Sequence, residues 1–266
     1  MPELAEVEYY RKRWDPGLGQ KILAVRLHAG KRTFRGTDVA ALKRLLPGTT
    51  LTASEARGKQ MAFRFSNGAW LGVHLGMTGR LAVDPTGFEP ARHDHLVLDQ
   101  EARALVFSDP RLFGRVLFDR GPSTPDWWAG LPESLTSPAY TPARLHRFLQ
   151  RHARAPLKAV LLRQDGFPGI GNWMADEILW RARLHPGLRA GRLTQRDARI
   201  LWRVVRQVCR GALKHVSADF SDPPQGWLFN ERWSDQGRCP RDGKRLRRAT
   251  LGGRTTAWCP ECQPAS

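Results

Sequence analysis

The stretch Met61-Ala-Phe-Arg-Phe-Ser-Asn-Gly-Ala-Trp-Leu-Gly-Val-His-Leu75 reads as two strands and a turn. Two apolar runs, MAFRF and AWLGVHL, flank Ser66-Asn67-Gly68. Asn-Gly between apolar runs is the strongest short hairpin signal. Further strands fit 79–83, 95–99, 104–108 and 115–119 downstream. Upstream, residues 20–28 place Leu23, Val25 and Leu27 on one face of another strand. A short helix fits 37–46, capped by Thr37 or Asp38 and stopped by Pro47-Gly48. So many short strands in the first ~120 residues predict a sandwich or flattened barrel.

The pattern changes further along. Residues 121–140 hold four prolines and two glycines, the composition of a linker. Thr141-Pro142 then opens a helix with a cap and a first-turn proline. Pro156 opens a second helix, and 172–184 forms a third with Asn172 as its N-cap. A longer fourth, 194–215, carries Leu201, Val204, Val205, Val208, Ala212 and Leu213 along one side. After Pro223-Pro224 the chain is rich in Arg and Gly, too short for its own core and suited to a metal-pinned hairpin. The reading is an α+β multidomain chain: a β-sandwich over 1–120, a linker over 121–140, a helical domain over 141–225 and a hairpin over 226–266.

Composition narrows the function. The chain has 266 residues with 41% hydrophobic, which excludes general disorder. No apolar run reaches the ~18 to 20 residues of a membrane helix. The N-terminus is acidic and has no secretory pattern, so a cytoplasmic protein is expected. Lys and Arg number 43 against 25 Asp and Glu, a net charge of +18. Such an excess predicts a polyanionic partner, most simply nucleic acid.

Three groups of residues carry chemistry. Met1-Pro2-Glu3 places a proline where removal of Met1 leaves a secondary amine, a nucleophile able to form an iminium with an aldehyde. Glu3 beside it can carry protons. Second, Asp165-Gly-Phe-Pro-Gly-Ile-Gly171 feeds the helix from Asn172. Such a Gly-rich turn lets backbone approach a ligand, and the free N–H groups at a helix start bind phosphate. Third, Cys239 and Asp242 form one hook and Cys259 and Cys262 another, with arginines between them. Paired hooks of this spacing hold zinc. The competing account has Asp242 shaping a turn and the hairpin held by Leu246 and Trp258, with the thiols unpaired.

These residues and their order resemble the Fpg/Nei family of DNA glycosylases, closest to the formamidopyrimidine-DNA glycosylase branch. The resemblance runs the whole length: PELAEVE at 2–8, GKQMAF at 58–63, HLGMTG at 74–79, RHDH at 92–95, SDPRLFG at 108–114, PGIGNWMADE at 168–177 and GGRTTAWCPECQ at 252–263. Ala5 departs from a usual proline, and Asp242 from a zinc-ligand cysteine. The resemblance implies an N-terminal β-sandwich, a helix–two-turns–helix domain and a C-terminal zinc-finger β-hairpin. It implies a monomer that flips an oxidised purine out of duplex DNA and excises it, then cleaves the strand by β,δ-elimination. By resemblance Pro2 is the nucleophile, Glu3 the proton donor, Lys59 an aid to β-elimination and Arg254 the arginine of δ-elimination. Met77, Arg111 and Phe113 match void-filling residues, and His93, Lys158 and Asn172 match DNA contacts. One structural zinc on Cys239, Asp242, Cys259 and Cys262 is implied with the finger. Two rivals remain: a Nei-type enzyme preferring oxidised pyrimidines, and a zinc-ribbon DNA-binding protein without catalysis.

Overall fold

A short helix, α1 (Leu4–Lys12), opens the chain, and a second, α2 (Val39–Leu45), follows with Asp38 as its N-cap. Asp38 Oδ1 accepts the Ala41 N–H at 2.8 Å, which satisfies one of the donors left over at the helix start. The computed structural model describes residues 1–265. Eight strands fill the first half: β1 (Ala24–Leu27), β2 (Leu51–Arg57), β3 (Gln60–Phe65), β4 (Ala69–His74), β5 (Arg80–Pro85), β6 (Asp94–Asp99), β7 (Arg103–Ser108) and β8 (Arg115–Arg120).

They form two antiparallel sheets, ordered β1-β6-β7-β5 and β2-β3-β4-β8. The β3–β4 hairpin turns at Asn67-Gly68: Gly68 has φ 78°, and Asn67 Oδ1 accepts the Ala69 N–H at 3.0 Å. Alternate residues point inward from both sheets. Phe63, Leu71 and Val73 meet Leu96, Leu98, Leu105 and Phe107 in one buried cluster, the arrangement of a β-sandwich. Trp14 joins them, its ring 4.7 Å from Phe63 and its Nε1 donating to Ala82 O at 3.0 Å.

The expected strand at 20–28 is shorter than its pattern. Leu23 is 54% exposed, whereas Ile22 and Val25 are buried. Ile22 N donates to Thr49 O while Leu23 N donates to Asp99 O. The backbone changes partners between these two residues, and the alternation breaks there.

The chain divides into two compact units, one of residues 1–2 and 6–131, the other of residues 3–5 and 132 onward. The division falls inside the stretch expected as a linker. That stretch is folded: it holds α3 (Asp126–Ala129) with Trp128 buried. Leu135 and Tyr140, also within it, lie in the core of the second unit.

That second core is helical, built from α4 (Pro142–Arg151), α5 (Leu157–Leu161), α6 (Asn172–Ala182) and α7 (Gln195–Asp219). Thr141 caps α4 by accepting the Arg144 N–H, and Thr194 with Asp197 forms a capping box on α7. Leu157, Phe167, Ile178, Leu201, Val205 and Val208 are fully buried together. The last two strands, β9 (Arg247–Leu251) and β10 (Arg254–Trp258), pair across Gly252-Gly253, with φ values of 59° and 72°. No helix among the described residues is long and apolar enough to cross a membrane.

Candidate active site and metal centre

In the second unit, Glu3 is the organising side chain. It is 3% exposed. Its carboxylate accepts the N–H groups of Gly171 at 2.8 Å, Trp173 at 2.9 Å and Met174 at 3.1 Å. These are the donors that a helix leaves without partners at its first turn. The N-cap of α6 is Gly171, not Asn172, and it has no side chain to cap with. Glu3 supplies the missing cap from the start of the chain, with the positive end of the helix dipole favouring its charge. Leu4 N donates to Gly169 O at 2.9 Å and fastens the same segment. A Cβ on Gly171 would lie 2.4 Å from Glu3 Cδ, so this close approach requires glycine.

Asn172 is thereby placed at the first position of α6. Its Nδ2 donates to Thr255 O at 2.9 Å, beside Arg254. Its Oδ1 is buried without a hydrogen-bond partner among the described residues. Arg254 itself is exposed. The turn that precedes it packs on α5, where a Cβ on Gly252 would meet Ala159 Cβ at 2.9 Å. Glu3, Asn172 and the hairpin backbone beside Arg254 therefore gather around one helix start.

Lys158 sits differently from its expected place at the DNA. It is fully buried on α5 and donates from Nζ to Asn172 O at 2.7 Å and to Asp176 Oδ1 at 2.6 Å. Burial pulls its ammonium below the usual lysine range, against the pull of Asp176. Asp176 Oδ2 accepts from Arg232 at 2.7 Å and from the Ala257 N–H at 3.1 Å. One buried carboxylate thus ties α5, α6, β10 and the segment after α7 together. Nothing in the sequence marks Asp176 or Arg232 for this. Trp233, next to them, is 57% exposed with Arg232 over its ring at 4.3 Å, and it too carries no sequence signal.

In the first unit, Lys59 follows the tight Gly58 turn between β2 and β3. Its Nζ lies 3.8 Å from Met1 Sδ, so the lysine is next to the N-terminus and Pro2. His74, across from Gln60 in the sheet, accepts the Gly76 N–H at its Nδ1. Burial, then the positive charge of Lys59, lowers its pKa.

Met77, Arg111 and Phe113 come together on two facing loops. Met77 is 37% and Phe113 41% exposed, and Arg111 lies over the Phe113 ring at 4.8 Å. The loops touch at Gly76, where a Cβ would meet Phe113 C at 2.4 Å. Leu112 between the arginine and the phenylalanine has φ 56°, a left-handed conformation that costs a residue with a Cβ roughly 1–2 kcal/mol.

Asp109, which the sequence reading passed over, holds both loops. It is fully buried, and its carboxylate accepts from Thr78 Oγ1 at 2.9 Å, Arg111 N at 3.2 Å and Gly114 N at 2.6 Å. Asp before Pro110 is a turn signal that could have found it. His93 is exposed, and its carbonyl accepts the Asp109 N–H at 3.0 Å.

The four candidate metal ligands converge. One ligand atom each of Cys239, Asp242, Cys259 and Cys262 lies within 4.8 Å of all the others. Cys239 Sγ is 3.8 Å from Cys262 Sγ, and Asp242 Oδ2 is 3.3 Å from Cys259 Sγ and 3.2 Å from Cys262 Sγ. Asp242 Oδ1 also accepts the Lys244 N–H at 3.0 Å. The turn role is present on Oδ1, while Oδ2 faces the thiols where a metal could be held. Burial pushes the Asp242 carboxyl up, but hydrogen bonds from the Lys244 N–H and the three thiols outweigh it and leave it at about 2. Burial, reinforced by Asp242, pushes the Cys259 thiol up to about 12. A dication would reverse that preference by favouring the thiolates.

Comparison with known proteins agrees with this arrangement. The N-terminal domain of formamidopyrimidine-DNA glycosylase matches residues 1–116, and the H2TH domain of the same enzyme matches residues 132–221. A formamidopyrimidine-DNA glycosylase of Thermus thermophilus is 38% identical over 277 residues, covering 99% of this chain and 98% of the relative. Among solved structures, the Lactococcus lactis enzyme bound non-covalently to DNA containing an AP site superposes with a TM-score of 0.87 at 25% identity, covering 99% of this chain and 100% of that one. MutM in complex with DNA containing carbocyclic 8-oxo-G gives 0.87 at 26% identity over the same shares. With both domain matches, full-length similarity and the shared fold, the chain belongs to the formamidopyrimidine-DNA glycosylase family.

Proposed function

We propose that this protein is a cytoplasmic DNA glycosylase and abasic-site lyase that removes oxidised purines from duplex DNA. The observation that carries the proposal is the capture of Glu3, the residue bonded to Pro2, by the first turn of α6, which holds its carboxylate next to Asn172. The family's solved complexes with AP-site and 8-oxo-G DNA support the substrate class.

The damaged nucleotide is turned out of the duplex so that its sugar carbon can be reached. Met77 and Phe113 enter the stack it leaves, and Arg111 hydrogen-bonds the orphaned base. Once Met1 is removed, the Pro2 amine attacks C1′ as the bond to the base breaks and the base departs with that electron pair. The amine proton passes to the Glu3 carboxylate and from it to the sugar oxygen as the ring opens, which leaves an iminium. Lys59, beside the N-terminus, assists the β-elimination that follows. Arg254, Asn172 and His93 hold phosphates of the strand. Lys158 acts through Asn172, whose carbonyl it holds, and is a positioning residue.

The four metal ligands fit one structural zinc. Zinc at ~2.3 Å from each sulfur sets tetrahedral sulfur–sulfur edges of about 3.8 Å, the separation of Cys239 and Cys262. Such an ion would hold the two ends of the hairpin together and so fix Arg254 at the hairpin's turn.

Borohydride reduction in the presence of lesion-bearing duplex tests the nucleophile. It should trap a covalent protein–DNA adduct with the mature chain and none when an N-terminal tag blocks Pro2. Equal trapping with the amine blocked would overturn the assignment. Comparing 8-oxoguanine with thymine glycol separates the purine reading from the pyrimidine one.

A further inference from the structure

The outer face of α7 carries a row of cations that the candidate site does not use. Arg196, Arg199, Arg203, Arg210 and Lys214 are all exposed, and none has an ion-pair or hydrogen-bond partner among the described residues. At ~100° per residue they fall within an arc of about 60° on the helix. Leu201, Val205, Val208 and Ala212 occupy the opposite side and are buried in the second core. From Arg196 to Lys214 the row extends ~27 Å at the α-helical rise.

Exposed helix faces commonly interleave acids with bases at a spacing of four, because such pairs stabilise the helix. This row has no acid in it. Asp197 lies in the first turn of α7, and its carboxylate is engaged in the capping box, accepting from Thr194 N at 3.0 Å and from Thr194 Oγ1 at 2.7 Å. Arg206, on the flank, donates to Leu135 O and Ser137 O and is not part of the row. At its start the row meets α4, which has no acidic residue and exposes Arg144, Arg147 and Arg151. Arg147 and His146 of α4 line a cleft of about 420 Å³ with Gln195 and Arg199 of α7.

We propose that this face is a docking surface for a second segment of duplex DNA, distinct from the duplex that carries the lesion. A duplex presents one phosphate per ~1.7 Å of axis, so a stretch of ~27 Å offers roughly 16 phosphates to the five cations. The row contains no aromatic residue on which unpaired bases could stack, which favours a duplex over a single strand. A membrane would need the apolar side of α7, and that side is in the core. The surface lets the protein hold one duplex while engaging another. The choice of DNA among polyanions rests on the function proposed above.

The test fills the lesion site first. Protein is saturated with a short duplex carrying a tetrahydrofuran abasic analogue, and a labelled, undamaged 30-base-pair duplex is then titrated in at several salt concentrations. The second duplex should bind the filled protein, with an affinity that falls steeply with salt. The triple variant Arg196→Gln/Arg203→Gln/Arg210→Gln should lower the salt slope by about 3, close to one counterion per cation removed. The same variant should excise 8-oxoguanine from a short duplex at the wild-type rate, which also shows that it is folded. Failure of the filled wild-type protein to take up the second duplex overturns the proposal, as does an unchanged slope in the variant. Equal competition by single-stranded RNA or phosphatidylserine vesicles overturns the assignment to duplex DNA. Absence of excision by wild-type protein counts against the proposed function alone, because uptake of undamaged duplex is read independently.

Discussion

Glu3 and Gly171 show how much a single contact organises. The sequence places an acid beside Pro2, so a role near the amine is legible there. Its partners are backbone N–H groups nearly 170 positions away, and no local pattern could reveal them. The same contact explains why Asn172 is not the N-cap of α6: the cap comes from elsewhere in the chain. Gly171 has φ −125°, which suits any residue, so an added methyl acts only through space, where it would lie 2.4 Å from Glu3 Cδ. Gly171→Ala should therefore displace the carboxylate without straining the backbone. A misplacement of about 1 Å costs ~10²-fold in rate, and each N–H left unsatisfied costs ~1–3 kcal/mol. Single-turnover excision should fall by roughly 10²-fold, with a lower melting temperature. Wild-type turnover in Gly171→Ala would show that the position of Glu3 does not limit the reaction.

Elements, too, were legible where their pattern was local. The β3–β4 hairpin follows from Asn67-Gly68, and α4 and α7 begin at Thr141 and Thr194, whose side chains cap them. The two units divide within 121–140, yet the stretch is folded, because proline content says where helices stop, not whether Trp128 and Tyr140 are buried. The loops of Met77, Arg111 and Phe113 were marked by the family resemblance, but their shared anchor was not, since Asp109 is a partner to both only in three dimensions. Asp109→Ala should release Thr78, Arg111 N and Gly114 N at once, at ~1–3 kcal/mol for each orphaned donor. We expect excision of a base-paired 8-oxoguanine to drop more than cleavage at an abasic site, which leaves less base to displace. An equal drop on both substrates would assign Asp109 to stability alone. For the finger, Cys262→Ser should loosen β9 and β10 and weaken DNA binding, while Asp242→Cys should retain both the metal and activity. Protein purified without added zinc should carry about one equivalent, on the donor set of three thiolates and a carboxylate. A content near zero, with full activity after chelation, would leave the hairpin to Leu246 and its neighbours.

At the scale of the whole molecule, the net charge of +18 points to a polyanion but does not say which cations meet it. Many arginines are internal fittings. Arg11 bridges Glu8 and Asp15, Arg26 pairs with Asp99, and Arg241 donates to Trp180 O. Arg232 is buried against Asp176 at 2.7 Å with both side chains nearly inaccessible. Arg254, by contrast, is exposed at the hairpin turn. Composition cannot separate these classes, because the difference lies in burial and partner. It can be separated by salt. Each phosphate neutralised by a cation contributes ~0.9 to the slope of log affinity against log salt. Arg254→Ala should reduce that slope by about one and leave the melting temperature unchanged. Arg232→Gln should leave the slope unchanged, because its charge never reaches the DNA. It should lower stability by ~3–5 kcal/mol, the usual cost of stranding one partner of a buried pair. Lys158 and the Ala257 N–H still share the Asp176 carboxylate, which places the expected loss at the lower end of that range. If the two variants exchange behaviours, with Arg232→Gln changing the slope and Arg254→Ala the stability, then the buried cation is the one that meets the phosphates and the hairpin arginine is structural.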